Sequence, residues 1–150
     1  MQEKVLVTNR KARRDYYVDK VYEAGLQLYG MEVKSLRAGK ADLKGSYAVF
    51  DRGELFLQGM HINPYKYSRE DYNPLRIRKL LLHKTELHTL EQKSLQKGFT
   101  LVPLKVYFKR GYAKIEIGLC RGKKHYDKRD ALKKDQAKRE MARAIRHKNK

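Results

Sequence analysis

The chain has 150 residues, with 36 Lys or Arg against 17 Asp or Glu, a formal charge of +19 and a pI near 10. That excess is far beyond what solubility requires, so a polyanion is the expected partner. One cysteine, Cys120, excludes an internal disulfide and a cysteine metal cluster, while the first residues, MQEKVLVTNRKARRDYY, lack the apolar run of a signal peptide.

In chain order, Asn9 is placed to cap a short helix at Arg10 to Arg14. Asp15 to Tyr22 (DYYVDKVY) and Leu26 to Tyr29 are rich in β-branched and aromatic residues and predict a long first strand. Met31 to Ala38, bracketed by Gly30 and Gly39, predicts a short helix that plugs one barrel end with Val33 and Leu36. Ser46 to Phe50 and Glu54 to Gly59 flank Asp51, Arg52 and Gly53, a hairpin with a three-residue loop. His83 with Glu86 three residues on has the form of an N-cap and its capping-box partner. Leu87, Leu90 and Leu95 then supply an apolar face until Gly98 stops the helix. Val102, Leu104, Val106 and Phe108 alternate with Lys105 and Tyr107, and Ala113, Ile115, Ile117 and Leu119 alternate with Lys114, Glu116 and Gly118, a second hairpin closed at Lys109 to Gly111.

Three strands, a helix and two strands give the order of an oligonucleotide-binding (OB) barrel. The expected fold class is therefore mainly β, of α+β character: an OB-type closed barrel with short flanking helices over residues 1–122, followed by a basic C-terminal tail, 123–150. Arg121 to Lys150 hold thirteen Lys or Arg against four Asp or Glu, net +9, the pattern of an interaction arm. In that arm Asp130 precedes Lys134, and Asp135 precedes Arg139, by four residues, and neither Pro nor Gly interrupts Lys123 to Lys150. It is helix-competent, yet Leu132, Met141 and Ile145 are too few to dock or to insert in a membrane, so alone it is expected to be disordered. No segment approaches the roughly 20 apolar residues of a membrane span, and a cytoplasmic location without a membrane partner is expected.

Catalysis finds no foothold. In GLCRGKK (Gly118 to Lys124) the glycines stand one residue too close for a phosphate-binding loop and no Ser or Thr follows. His61, His83, His88, His125 and His147 show no metal-ligand spacing, and no carboxylate pair forms a recognisable acid and base motif. Neither a catalytic residue, a metal nor a cofactor is expected. Eleven Tyr and no Trp, with runs such as Tyr65-Lys66-Tyr67 and Arg76-Ile77-Arg78-Lys79, have instead the composition of an RNA surface, where rings stack on unpaired bases and cations meet phosphates. A half-buried barrel position with the hydroxyl outward accounts equally well for any one of these Tyr.

The run YEAGLQLYGMEVKSLRAGKADL (Tyr22 to Leu43) resembles the signature of the small protein B family, which binds transfer-messenger RNA (tmRNA, SsrA RNA). NRKAR (Asn9 to Arg13), HINPY (His61 to Tyr65), RKLLLH (Arg78 to His83), KGFTLVPLKVYF (Lys97 to Phe108) and GLCRGKKHYDKR (Gly118 to Arg129) resemble its other motifs in order. The resemblance implies binding of the tRNA-like domain of tmRNA and delivery to stalled ribosomes for trans-translation. Elongation factor Tu takes part indirectly, through alanyl-tmRNA, and the tail enters the small-subunit decoding region and mRNA channel. It implies no enzymatic step.

Carried over residue by residue, the resemblance implies RNA contacts at Asn9, Glu23 and Leu81, with Lys34, Arg37, Lys79, Lys123 and Lys124 on phosphate or sugar. A carboxylate facing RNA repels phosphate, so Glu23 either accepts from base amino or imino groups or is a structural acid paired with a nearby cation. Leu80, Leu81 and Leu82 are all expected to be buried on composition, whereas the resemblance implies that one lies exposed. In the tail it implies ribosome contacts at Tyr126, Asp127, Lys128, Arg129, Lys133, Lys134, Lys138 and Arg139, the helix forming there on the ribosome. Tyr126 stands where some members carry His, which puts a protonation role at that position in doubt. The alternative function is a generic ribosome-associated OB-fold RNA-binding protein; a nuclease or RNA-modifying enzyme lacks the clustered acids it would need.

Overall fold

The computed structural model describes residues 3–123, 132–133 and 136–143. Its elements are β1 (Lys4–Thr8), α1 (Ala12–Asp15), β2 (Tyr16–Leu26), α2 (Gly30–Arg37), β3 (Ala41–Asp42), β4 (Tyr47–Asp51), β5 (Glu54–Gln58), β6 (His61–Ile62), β7 (Arg78–Leu81), α3 (Lys84–Ser94), β8 (Phe99–Lys109) and β9 (Tyr112–Gly122). The strands β8-β4-β5-β7-β2-β9 follow one another as hydrogen-bonded neighbours, and β9 pairs back onto β8, which closes the barrel. The fold is thus mainly β, a ring of strands with a few short helices.

β8 is long enough to serve two neighbours on one edge. At one end Ala48 of β4 pairs with Leu101, and further along β1 takes the same edge, from Thr8 opposite Lys105 to Lys4 opposite Phe108. Pro103 sits at an irregularity in the β8–β9 register between Pro103 and Lys105, the kind of place where a strand tolerates a residue without an N–H. Both hairpin turns are tighter than the sequence suggests: Asp51 pairs with Glu54, and Lys109 with Tyr112. Each leaves two residues in the turn, Arg52-Gly53 at φ 52° and 78° and Arg110-Gly111 at φ 53° and 79°. Two successive left-handed residues match the twist of the flanking strands, which a three-residue loop does not require.

Alternation sorts the strands into an apolar inside and a polar outside. Tyr22, Ala24 and Leu26 of β2, Leu55 and Leu57 of β5, and Ile115, Ile117 and Leu119 of β9 face inward and are buried, joined by Met60, Ile62 and Leu43. α2 closes one part of this core with Leu36 fully buried and Val33 half-buried, and α3 contributes Leu90. Leu95, expected on the inner face of α3, is its C-cap and is 75% exposed, because five residues at about 100° each carry it roughly 140° round the helix from the buried Leu90.

Several expectations are corrected. The ring has six strands with β1 as a seventh on β8, where five were predicted; β1 and β7 were not read as strands. β7 hid because its inward residues are Arg78 and Leu80, so a charge stands where alternation calls for an apolar side chain. The first strand ends at Leu26, and Tyr29 becomes the N-cap of α2. Asn9 does not cap α1: its side-chain amide donates to Pro103 O at 2.9 Å across to β8, and Lys11 is the N-cap residue. His83 is the N-cap of α3 as expected, but without a side-chain cap bond.

The inward charge of β7 is met by Glu32 of α2. Arg78 Nε and Nη2 donate to Glu32 Oε2 at 2.8 and 2.6 Å, while Arg76 Nη2 and the Tyr29 amide donate to Oε1 at 2.5 and 2.8 Å. Arg78 also donates to Met60 O at 2.7 Å and to Pro74 O at 3.2 Å, so a single guanidinium ties α2, the end of the β5 hairpin and the long β6–β7 connection together. Burial alone raises the Glu32 carboxyl, but the bonds from Arg76 and the Tyr29 amide and the charge of Arg78 outweigh it, and its pKa lies below the usual 4.5.

Glu32→Gln leaves Arg78 buried and uncompensated, and should cost about 3 to 5 kcal/mol in urea unfolding at pH 7. Because the folded pKa is depressed, the ionised Glu32 contributes fully above its unfolded value near 4.5 and loses that contribution as the pH falls through the folded value. The gap between parent and variant should therefore narrow below pH 4.5; a gap that stays constant down to pH 3 would remove the carboxylate charge as its source.

Candidate nucleic-acid interface

β2 places Glu23 and Gly25 on the outer face, between the buried Tyr22, Ala24 and Leu26. Across to β7, Gly25 stands opposite Leu81, and a Cβ added at Gly25 would meet the Leu81 Cβ at 3.4 Å. Leu80 is buried, Leu82 half-buried and Leu81 51% exposed, so alternation on β7 turns one leucine of the triplet out to solvent beside a residue without a side chain. Lys79 lies on the same outer face two residues earlier, with its ammonium 3.1 Å from Glu54 Oε1. Glu23, Leu81 and Lys79 are thus brought together on one patch of the barrel wall.

Glu23 is held from beneath. The Tyr107 hydroxyl of β8 donates to its Oε2, and Lys109 Nζ lies 3.3 Å from the same oxygen. The Tyr107 bond, against the opposing effect of burial and with help from Lys109, pulls the Glu23 carboxyl below its ordinary pKa. Burial first, then the bond and charge of Glu23, push the Tyr107 hydroxyl well up, so it stays protonated and donates. The carboxylate is 39% exposed on its side chain, oriented by a tyrosine and a lysine, and its charge is partly offset. Sequence reasoning missed both partners; the signal was the alternation that sets Lys105, Tyr107 and Lys109 on the outer face of β8.

A second group lies at the other end of β2. Asn9 is pinned to β8 by its side-chain bond to Pro103 O and by its backbone N–H, which donates to Leu104 O at 2.8 Å. It lines a cleft with Arg10, Lys11, Tyr16, Tyr47 and Lys44. Lys123 donates from its backbone to Asp15 O at 2.9 Å and from Nζ to Arg13 O at 3.0 Å, and its ammonium sits 5.0 Å from the Tyr17 ring centre. Tyr16 pairs with Gly122, and Glu23 lies seven positions further along the strand from Tyr16. At about 3.3 Å per residue the two groups stand roughly 20 Å apart, so they meet different parts of any one ligand.

Lys34 and Arg37 are exposed on α2, Lys34 over the Tyr65 ring at 5.3 Å and Arg37 over Phe108 at 5.0 Å. Lys133, Lys138 and Arg139 are exposed in helical segments, and Lys124, Tyr126, Asp127, Lys128, Arg129 and Lys134 lie outside the described residues. Among the described residues there is no group of three or more His, Cys, Asp or Glu able to hold a metal ion, and no helix long and apolar enough to cross a membrane. Cys120 is buried, and burial pushes its thiol up to about 11, so it packs rather than reacts.

Comparison with known proteins agrees with the motif reading. The model of the SmpB protein family matches residues 6–147. The SsrA-binding protein of Geobacter sulfurreducens is 51% identical over 151 residues, covering 100% of this chain and 99% of its own. That of Geobacillus thermodenitrificans is 50% identical, covering 98% and 96%, and that of Bacillus subtilis 51%, covering 95% and 92%. Among solved structures, a chain described under "tmRNA-SmpB: a journey to the center of the bacterial ribosome" is 54% identical, with a TM-score of 0.67, over 84% of this chain and 93% of that one. The motifs, the barrel and relatives matched along nearly their whole length agree: this chain belongs to the SmpB protein family, a family of RNA-binding proteins.

Proposed function

We propose that this chain is an SsrA-binding protein: it binds the tRNA-like domain of tmRNA and delivers it to stalled ribosomes for trans-translation. The observation that carries the reading is Leu81, a leucine turned out of the barrel beside Gly25, with the anchored carboxylate of Glu23 on the same wall. An exposed leucine forgoes burial energy, and a ring or sugar of RNA packed on it recovers that energy only in the complex. Glu23 accepts from base amino or imino groups, while Lys79, Lys34, Arg37, Lys123 and Lys124 meet phosphate or sugar and Asn9 contacts RNA at the far end of β2. The bonds of Glu23 to Tyr107 and Lys109 favour, as the competing reading, a purely structural acid.

Residues 1–122 form the RNA-binding barrel in this scheme, and 123–150 the arm that the ribosome reads. Tyr126, Asp127, Lys128, Arg129, Lys133, Lys134, Lys138 and Arg139 contact the small-subunit decoding region and the mRNA channel, where phosphates neutralise the crowded charge. A helix of about twenty residues spans roughly 30 Å at 1.5 Å per residue, a reach suited to an empty mRNA channel. Elongation factor Tu takes part only through alanyl-tmRNA, the protein works in the cytoplasm, and it performs no chemical step.

Glu23→Ala should weaken the isolated tRNA-like domain by about 1 to 3 kcal/mol while leaving bulk tRNA binding nearly unchanged, whereas Lys124→Ala should weaken both alike and lower the log–log salt slope by about one contact. Filter binding across a salt series reads both. A folded Glu23→Ala protein with parental tmRNA affinity would return Glu23 to the structural reading.

Truncation after Lys124 should leave tmRNA binding nearly intact and abolish peptide tagging in a reconstituted stalled-translation assay. Loss of tmRNA binding on truncation would make the arm an RNA-affinity element; retained tagging would make it dispensable.

A further inference from the structure

The Tyr65-Lys66-Tyr67 run and the exposed Tyr29 have no place in the contacts assigned above. The β6–β7 connection brings them together. It leaves β6 with the Asn63 amide donating to Lys40 O and returns with Pro74 O accepting from the Ile62 amide, both at 3.0 Å, so its base is pinned while its middle stands beside the first turn of α2. Between connection and helix lies a cavity of about 770 Å³ lined by Tyr29, Met31, Tyr67, Arg69, Tyr72 and Arg76.

Its walls are aromatic and its rim is basic. Tyr29 is 61% and Tyr67 67% exposed, far more than a barrel tyrosine needs to keep its hydroxyl wet. The Arg76 guanidinium packs on the Tyr29 ring at 4.0 Å, and Lys66 lies 5.5 Å from the Tyr67 ring centre. Tyr65 and Tyr67 stand 6.0 Å apart, with Lys34 bracing the outer face of Tyr65 at 5.3 Å. The floor is the Glu32 cluster, whose carboxylate is consumed by Arg76 and Arg78 and so does not repel a phosphate. Lys34, Lys66, Arg69, Arg76 and Arg78 against Glu32, Glu70 and Asp71 leave the neighbourhood at +2.

We propose that this cavity is a second RNA site, which takes an unpaired base between Tyr29 and Tyr67 with Lys66 and Arg69 on the flanking phosphates. Ring faces accept any base and the cations read only the backbone, so the site selects for single-stranded RNA rather than for sequence. It supplies what the Glu23–Leu81 wall lacks, an open stacking slot. The inference rests on the RNA-binding reading of the chain but not on tmRNA being the ligand.

A hexaribonucleotide with a central 2-aminopurine, titrated into the full chain, tests it, because stacking quenches that fluorophore. The parent should quench it. Tyr67→Ala and Tyr29→Ala should each weaken binding about fivefold or more, the loss expected for one stacked base, with the salt slope unchanged. Tyr67→Phe should bind like the parent, since the ring face is kept, and the thermal midpoint of Tyr67→Ala should match the parent because the ring is exposed. Glu23→Ala should bind the oligonucleotide normally even where it loses the tRNA-like domain. A parent that leaves the fluorophore unquenched, or a folded Tyr67→Ala protein that binds as the parent does, overturns the site. If Tyr67→Ala loses the oligonucleotide while Glu23→Ala keeps the tRNA-like domain, this site stands and the assignment of Glu23 falls instead.

Discussion

The architecture depends on one buried ion pair. Glu32 and Arg78 are almost wholly removed from water, and neither can be placed there without the other, since an unpaired charge in that position costs several kcal/mol. Their bonds are shared out so that each partner is satisfied: two oxygens against Arg78, Arg76 and the Tyr29 amide, and a guanidinium spread over Glu32, Met60 O and Pro74 O. α2 is fixed against β7 by a geometry with little slack. A purely apolar contact at the same place could slide by a turn and still bury similar area; a forked guanidinium on a carboxylate cannot.

Fixing Arg78 inward fixes the pleat of β7. With Arg78 and Leu80 inside, Lys79 and Leu81 must face out, and Leu81 falls opposite Gly25 rather than into the core. A one-residue slip of this short strand would bury Leu81 and Lys79 and expose Leu80, so the pair that joins α2 to the barrel also sets which leucine is offered to solvent. Local order in the core and the shape of the outer wall are therefore one choice made at one residue.

Where alternation was clean the sequence was readable. The β4–β5 hairpin, β9, α2 and α3 follow from period and punctuation, whereas β8 follows only in part: the irregularity between Pro103 and Lys105 puts Leu101 and Val106 in the main core and Val102 and Leu104 in a second cluster with Ala12 and Cys120. β7 was not, since a buried arginine looks like a surface residue until its carboxylate is located 46 positions away. The bonding of Asn9 was likewise obscured: a residue well suited to cap a helix spends its amide on Pro103 O, a carbonyl beside an irregularity in the register. The exposed member of Leu80-Leu81-Leu82 and the choice of Glu23 as a candidate came from family resemblance, for nothing in composition distinguishes them. The tyrosine and lysine beneath Glu23 lie 84 and 86 positions away, and only closure of the barrel brings them together.

Those pairings bear on how a chain of charge +19 uses its few acids. Glu32 is neutralised by arginines, Glu54 by Lys79, Glu3 by Lys105 and Asp19 by Arg121. Each of these four stands close to a cation that offsets its negative charge where it sits. Glu23 has a neutral partner beside its cation: the Tyr107 hydroxyl donates to its Oε2, and Lys109 Nζ lies 3.3 Å from the same oxygen. The hydroxyl orients the carboxylate while Lys109 offsets part of its charge, and the carboxyl pKa lies below its ordinary value. An acid in that state repels phosphate and accepts strongly from base N–H groups. In the interface proposed above, such an acid would penalise an RNA that presents backbone at that point and reward one that presents a base edge, a filter for shape rather than a source of affinity.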